Sequence, residues 1–148
     1  MNGISRIVLA AGLLGALAAG SAGCRTTPSL SGTTWVLQPY MMPGAPNFPP
    51  GAPRITMLMG ENGRIAGCSG VNQYRATVHI DPRKNQFKLI GPPMVTRMVG
   101  PGLEFERYYL TRLSQVDSYR FEDNRLVLLS GGRPVIEFLP CDALPSSF

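Results

Sequence analysis

The chain has 148 residues, 44% of them hydrophobic, with 14 Lys and Arg, 9 Asp and Glu and a single His. That length suits one domain, and one His among scattered acids offers no acid–base pair for an enzyme and no ligand set for a metal or other cofactor. The net charge of +5 is spread along the sequence, which fits a solvated surface near anionic membranes and excludes a clustered nucleic-acid footprint.

In chain order, MNGISR carries one cation, Arg6, and the apolar run IVLAAGLLGALAAG (7–20) follows, closed by small residues in SAGC. This is the pattern of a secretory signal over 1–23, shorter and more glycine-broken than a membrane span. SAGC resembles the lipobox of bacterial lipoproteins, with Cys24 as the lipidated residue, although Ser21 stands where an aliphatic residue is usual. The alternative is an ordinary secreted protein cut near Ala22. Residue 25 is Arg rather than the Asp that resembles an inner-membrane retention signal. The expected location is therefore the outer membrane, facing the periplasm, with a palmitate-bearing anchor whose buried methylenes hold it at about 0.8 kcal/mol each. If Cys24 carries lipid, Cys68 and Cys141 remain as an even pair in an oxidising compartment. A disulfide between them would close a loop of roughly 74 residues and add roughly 4 kcal/mol; the alternative is two idle or buried thiols.

Residues 24–31 read as a polar tether, 32–140 as the domain and 141–148 as a tail. TTWVLQPY (33–40) is strand-like, with Trp35 and Leu37 on one face. MMPGAPNFPPGAP (41–53) holds five prolines and cannot join a central strand or a helix; it is expected as a semi-rigid rim loop, either a contact surface or a tolerated insertion. From 54 onward the apolar period is two: RITMLM (54–59), a turn at 60–63, RIAGCSGVNQYRA (64–76), TVHI (77–80), a turn at 81–85 and QFKLIG (86–91). One segment has helical spacing instead, LEFERYYLTRLSQV (103–116), with Phe105, Tyr109, Leu113 and Val116 on one face and Glu104 and Glu106 in the first turn, where they suit the helix dipole. SYRFE (118–122), RLVLLS (125–130) and VIEFLP (135–140) complete seven or so strands. The expected fold is mainly β, a small antiparallel, partly open, lipocalin-like barrel plugged or covered by one helix.

GRIAGCSGVNQYRA is the most distinctive stretch. Its glycines, Gly63, Gly67 and Gly70, lack phosphate-loop spacing and lead into strand rather than helix. A nucleophilic Cys68 would need a His base, and His79 alternates with Val78 and Ile80 and so faces water. No catalytic residue is expected. The glycines instead mark a bulge, sharp bend or close backbone approach, Asn72 can bond neighbouring backbone groups, and Tyr74 begins a core-facing alternation with Ala76, Val78 and Ile80.

These residues resemble the META domain family, whose members include the HslJ-type heat-shock lipoproteins of bacteria. The resemblance rests on Trp35 in TTWVL, on Gly67-Cys68-Ser69-Gly70-Val71-Asn72-Gln73-Tyr74, and on Thr96-Arg97-Met98, followed by the helix and the final hairpin. Val71 and Gly100 stand where the family often has cysteines; if those bridge one another, their joint loss is consistent. Thr96, Arg97 and Met98 have two readings: Arg97 as a ligand or partner contact at the rim, or Thr96 capping a turn with Met98 packed and Arg97 in solvent. The resemblance implies a β-rich domain with no agreed activity. The expectation is a non-enzymatic envelope lipoprotein with a structural, stress-related or protein-interaction role, touching the membrane through its anchor and touching an envelope protein partner. The alternative is a carrier of a small apolar ligand or lipid, with Met57, Met59, Met94 and Met98 lining its pocket.

Overall fold

The computed structural model describes residues 29–143; Cys24, the signal segment and most of the tether lie outside them. The described residues form eight antiparallel strands closed into one ring, with one α-helix between the fifth and sixth strands. The strands are β1 (Thr34–Leu37), β2 (Thr56–Met59), β3 (Arg64–Cys68), β4 (Gln73–Asp81), β5 (Gln86–Val95), β6 (Ser118–Glu122), β7 (Arg125–Ser130) and β8 (Arg133–Pro140); the helix is α1 (Leu103–Ser114). Each strand pairs with its successor and β8 returns to β1, Trp35 standing opposite both Met57 and Pro140. The ring is thinnest between β5 and β6, where Gln86 opposite Ser118 is the one register pair.

The period-two pattern explains the wall. Along β4 Tyr74, Ala76 and Val78 are buried while Arg75, Thr77 and His79 are exposed. The interior is filled by aromatic and aliphatic side chains, among them Trp35, Met57, Phe87, Leu126 and Phe138, none of which is exposed to solvent. The helix completes this core. Its stripe Phe105, Tyr109 and Leu113 faces inward, and the Tyr109 ring meets Tyr74 and Phe138 edge-on at centroid distances of 5.9 and 6.4 Å.

Three expectations are corrected. The stretch 64–76 is two strands rather than one bent strand, because residues 69–72 reverse the chain. QFKLIG ends too early: β5 runs on to Val95 through Pro92 and Pro93. A bulge opposite Ala76 absorbs the prolines, and the other edge of β5 has scarcely any ladder in which they would have to donate. Finally, Cys68 and Cys141 are both free thiols. β1 and β2 separate the strand of Cys68 from that leading to Cys141; three strand spacings are about 14 Å along the wall, against the about 4.4–6.8 Å between Cα atoms that a disulfide needs.

Candidate functional site

The motif residues gather at one end of the barrel, where the loop 69–72 between β3 and β4, the segment 96–98 after β5 and the first turn of α1 meet. Gly67 brings β3 unusually close to β2: a Cβ there would lie 2.0 Å from the Thr56 carbonyl oxygen, a distance no side chain tolerates. The Cys68 amide then donates to Thr56 Oγ1 at 3.0 Å. Gly70 takes φ +118°, in the region that favours glycine, and the reversal leaves the amides of Val71 and Asn72 pointing inward.

Their acceptor is Glu106, a carboxylate only 4% exposed. Its Oε2 accepts from Val71 N (3.0 Å) and Asn72 N (2.8 Å) and lies 2.8 Å from Ser69 Oγ. Oε1 accepts from Asn72 Nδ2 at 2.7 Å. Asn72 then reaches the third segment. Its Oδ1 accepts from Thr96 Oγ1 (2.9 Å) and Met98 N (2.7 Å), and Nδ2 also approaches Met98 O at 3.3 Å. Thr96 is tied a second way, donating from N to Gln73 O (3.0 Å) and accepting from Gln73 N at Oγ1 (3.1 Å). Among the described residues no buried side-chain nitrogen or oxygen lacks a partner. Each polar group of the cluster is thus engaged within the fold, which suits a lock better than a reactive centre.

Below the lock, Tyr74 and Tyr109 share a hydroxyl contact of 2.8 Å, and the Tyr74 hydroxyl donates to Thr56 O at 3.1 Å. Burial pushes both phenols well above the ordinary tyrosine range, so both are neutral donors and acceptors at physiological pH.

Of the motif residues, Gly67, Gly70, Asn72, Tyr74, Thr96 and Met98 are brought together here. Trp35 lies apart, in the core at the other end, its indole N–H donating to Leu30 O at 3.2 Å. Arg97 is exposed, as is Val99, at 90%. Met98 is corrected: its backbone is clamped but its side chain is 56% exposed rather than packed. The four methionines do not share a pocket, since Met57 and Met59 are buried while Met94 and Met98 face solvent. Sequence reasoning missed Glu106. Its place in the first turn suits the helix dipole, yet it lies three and seven residues before Tyr109 and Leu113, on the buried stripe, and that spacing is the available signal.

The proline-rich loop lies beside this end. Phe48 packs edge-on against Phe105 with centroids 5.0 Å apart, and the Tyr108 hydroxyl donates to Pro43 O. The Val71 side chain borders Gly100, where a Cβ would lie 3.3 Å from Val71 Cγ1; the two positions at which the family often has cysteines are therefore neighbours in space.

The META domain pattern matches residues 28–142. The chain belongs to the META domain family. Among solved structures, a protein from Burkholderia xenovorans, determined by NMR, is 24% identical over 75% of this chain and 83% of its own, with a TM-score of 0.55. Another NMR structure is 15% identical, covers 76% of this chain and 92% of its own, and also has a TM-score of 0.55. At these identities the likeness concerns the fold. No curated protein matches at a significant level.

Proposed function

We propose that the protein is a non-enzymatic envelope lipoprotein, held by an acylated Cys24 on the periplasmic side of the outer membrane, whose META domain presents a rim surface to a protein partner in a structural or stress-related role. One observation carries the reading. Asn72, itself held by Glu106, clamps the backbone of Met98 at both N–H and C=O, and beside that clamp Arg97, Met98 and Val99 project into solvent. A fixed backbone under exposed apolar side chains lowers the ordering cost of association. The chain enters the barrel at the opposite end, where Gly32 N donates to Met59 O, so an anchor at Cys24 leaves this rim away from its attachment point.

The test is site-specific photo-cross-linking in intact cells. A cross-linker at Val99 should capture one reproducible envelope protein, and Arg97→Glu should abolish that capture without lowering the melting temperature. Capture of the same abundant proteins from Val99 and from the remote turn residue Lys84 would contradict the reading. The mass of the chain extracted from membranes reports acylation of Cys24 separately.

A further inference from the structure

A second surface lies on the outer wall of β2–β5. The register aligns Leu58, Ala66, Arg75 and Met94 in one row across four strands, and Arg64, Thr77 and Ile90 in the next. These residues line a shallow groove of about 760 Å³. Its flanks carry Leu58, Ile90 and Met94, which are 45, 60 and 72% exposed, while Ala66 and Thr77 keep its floor low. Leu58 and Met94 stand at the two ends of the first row with Ala66 and Arg75 between them, so the apolar side chains flank the arginines.

The charge on this wall is one-sided. Arg64 faces Thr77 and Arg75 faces Ala66, which makes the two arginines diagonal neighbours across β3 and β4, about 7–8 Å apart. Neither enters an ion pair among the described residues, and no acidic side chain lines the groove. With no carboxylate to balance them, the two guanidinium groups beside apolar side chains suit an anionic ligand that also has an apolar part.

We propose that this wall seats on an anionic phospholipid surface, with Arg64 and Arg75 on lipid phosphates and Leu58, Ile90 and Met94 dipping among the upper methylenes. Arginine stems suit this role, because they bury methylenes while the guanidinium stays at headgroup level. The point of chain entry favours a membrane over a soluble partner. Gly32 N is bonded to Met59 O, beside Leu58 at the edge of the groove, and eight residues before Gly32 stands Cys24, within about 28 Å even when fully extended. This orientation rests on the anchored reading of Cys24, whereas the affinity of the wall for lipid does not.

The experiment uses the exported chain with Cys24→Ser, so that no acyl group contributes, in co-sedimentation with vesicles. Binding to phosphatidylglycerol/phosphatidylethanolamine vesicles should exceed binding to phosphatidylcholine vesicles and weaken with salt. Arg64→Gln/Arg75→Gln should reduce it roughly 25-fold, at about fivefold per cation near the surface, and Leu58→Ser/Met94→Ser should also weaken it. Arg97→Gln/Arg133→Gln, with the same net charge, should reduce it much less. Equal binding to both vesicle types overturns the proposal, as does an equal loss with the control pair. So does retention on soluble polyglutamate without retention on vesicles, which would assign the wall to an acidic protein. Mass spectrometry of the wild-type chain settles Cys24 independently, so failure of the anchor and failure of the wall are distinguishable.

Discussion

Glu106→Ala should be among the most damaging single substitutions in this domain. It removes the acceptor of Val71 N, Asn72 N and Asn72 Nδ2, while Ser69 Oγ keeps Asn72 O at 2.9 Å. A buried donor left without a partner costs about 1–3 kcal/mol. Val71 N is only part-buried and regains some of this from water, so the total is roughly 3–6 kcal/mol. Domains are stable by about 5–15 kcal/mol, and the loss is therefore a large part of the whole. Urea unfolding followed by circular dichroism reads it directly: with a slope near about 2 kcal/mol per molar, the midpoint should fall by roughly 2 M. Glu106→Gln keeps the shape but turns an N–H₂ group toward existing donors, and should cost about 2 kcal/mol. Glu104→Ala, one residue outside the buried stripe and exposed, should stay within about 0.5 kcal/mol of the parent. A Glu106→Ala loss below about 1 kcal/mol would refute the lock.

Gly67→Ala places a methyl 2.0 Å from the Thr56 carbonyl oxygen, and should cost about 3 kcal/mol or prevent folding, seen as a lowered melting temperature. Tyr74→Phe removes the donor to Thr56 O and one partner of Tyr109, for a loss of about 1–2 kcal/mol in the same urea assay. Because burial raises the phenol pKa of Tyr74 and Tyr109, their contribution is fully present below the ordinary tyrosine pKa of about 10. Above it the unfolded chain binds fewer protons than the native one, so stability falls as pH rises. Alkaline titration of unfolding should show that fall, and a shallower one in Tyr74→Phe/Tyr109→Phe. In the Cys24→Ser chain a thiol reagent should modify exposed Cys141 quickly and half-buried Cys68 more slowly, without prior reductant; a mass two protons short would oppose this.

The barrel was legible because its physics is local. Alternation in β4 and the apolar stripe of α1 are written at fixed spacings, and the family motif supplied the order of elements. The lock was only half legible. Asn72 and Thr96 were visible as motif residues, but their common partner Glu106 looked like an ordinary helix-start acid, since the meeting of α1 with the loop 69–72 is a tertiary fact. Cysteine parity suggested a bridge because parity carries no information about how many strands lie between two residues. The continuation of β5 through Pro92-Pro93 depended on a bulge and a nearly unpaired edge, which the prolines permit but do not announce. Met94 and Met98 looked like pocket-liners by residue type, whereas register and backbone clamping turn both outward.

Amide hydrogen exchange at Val71, Asn72 and Met98 tests the structural role of the motif most directly. All three amides lie outside the strands and the α-helix, yet they donate to Glu106 or Asn72. Protection approaching that of the β3–β4 ladder is expected, lost together in Glu106→Ala. Exchange of the wild-type amides as fast as that of the turn amides at 61–63 would contradict the lock and with it the reading of the motif as architecture.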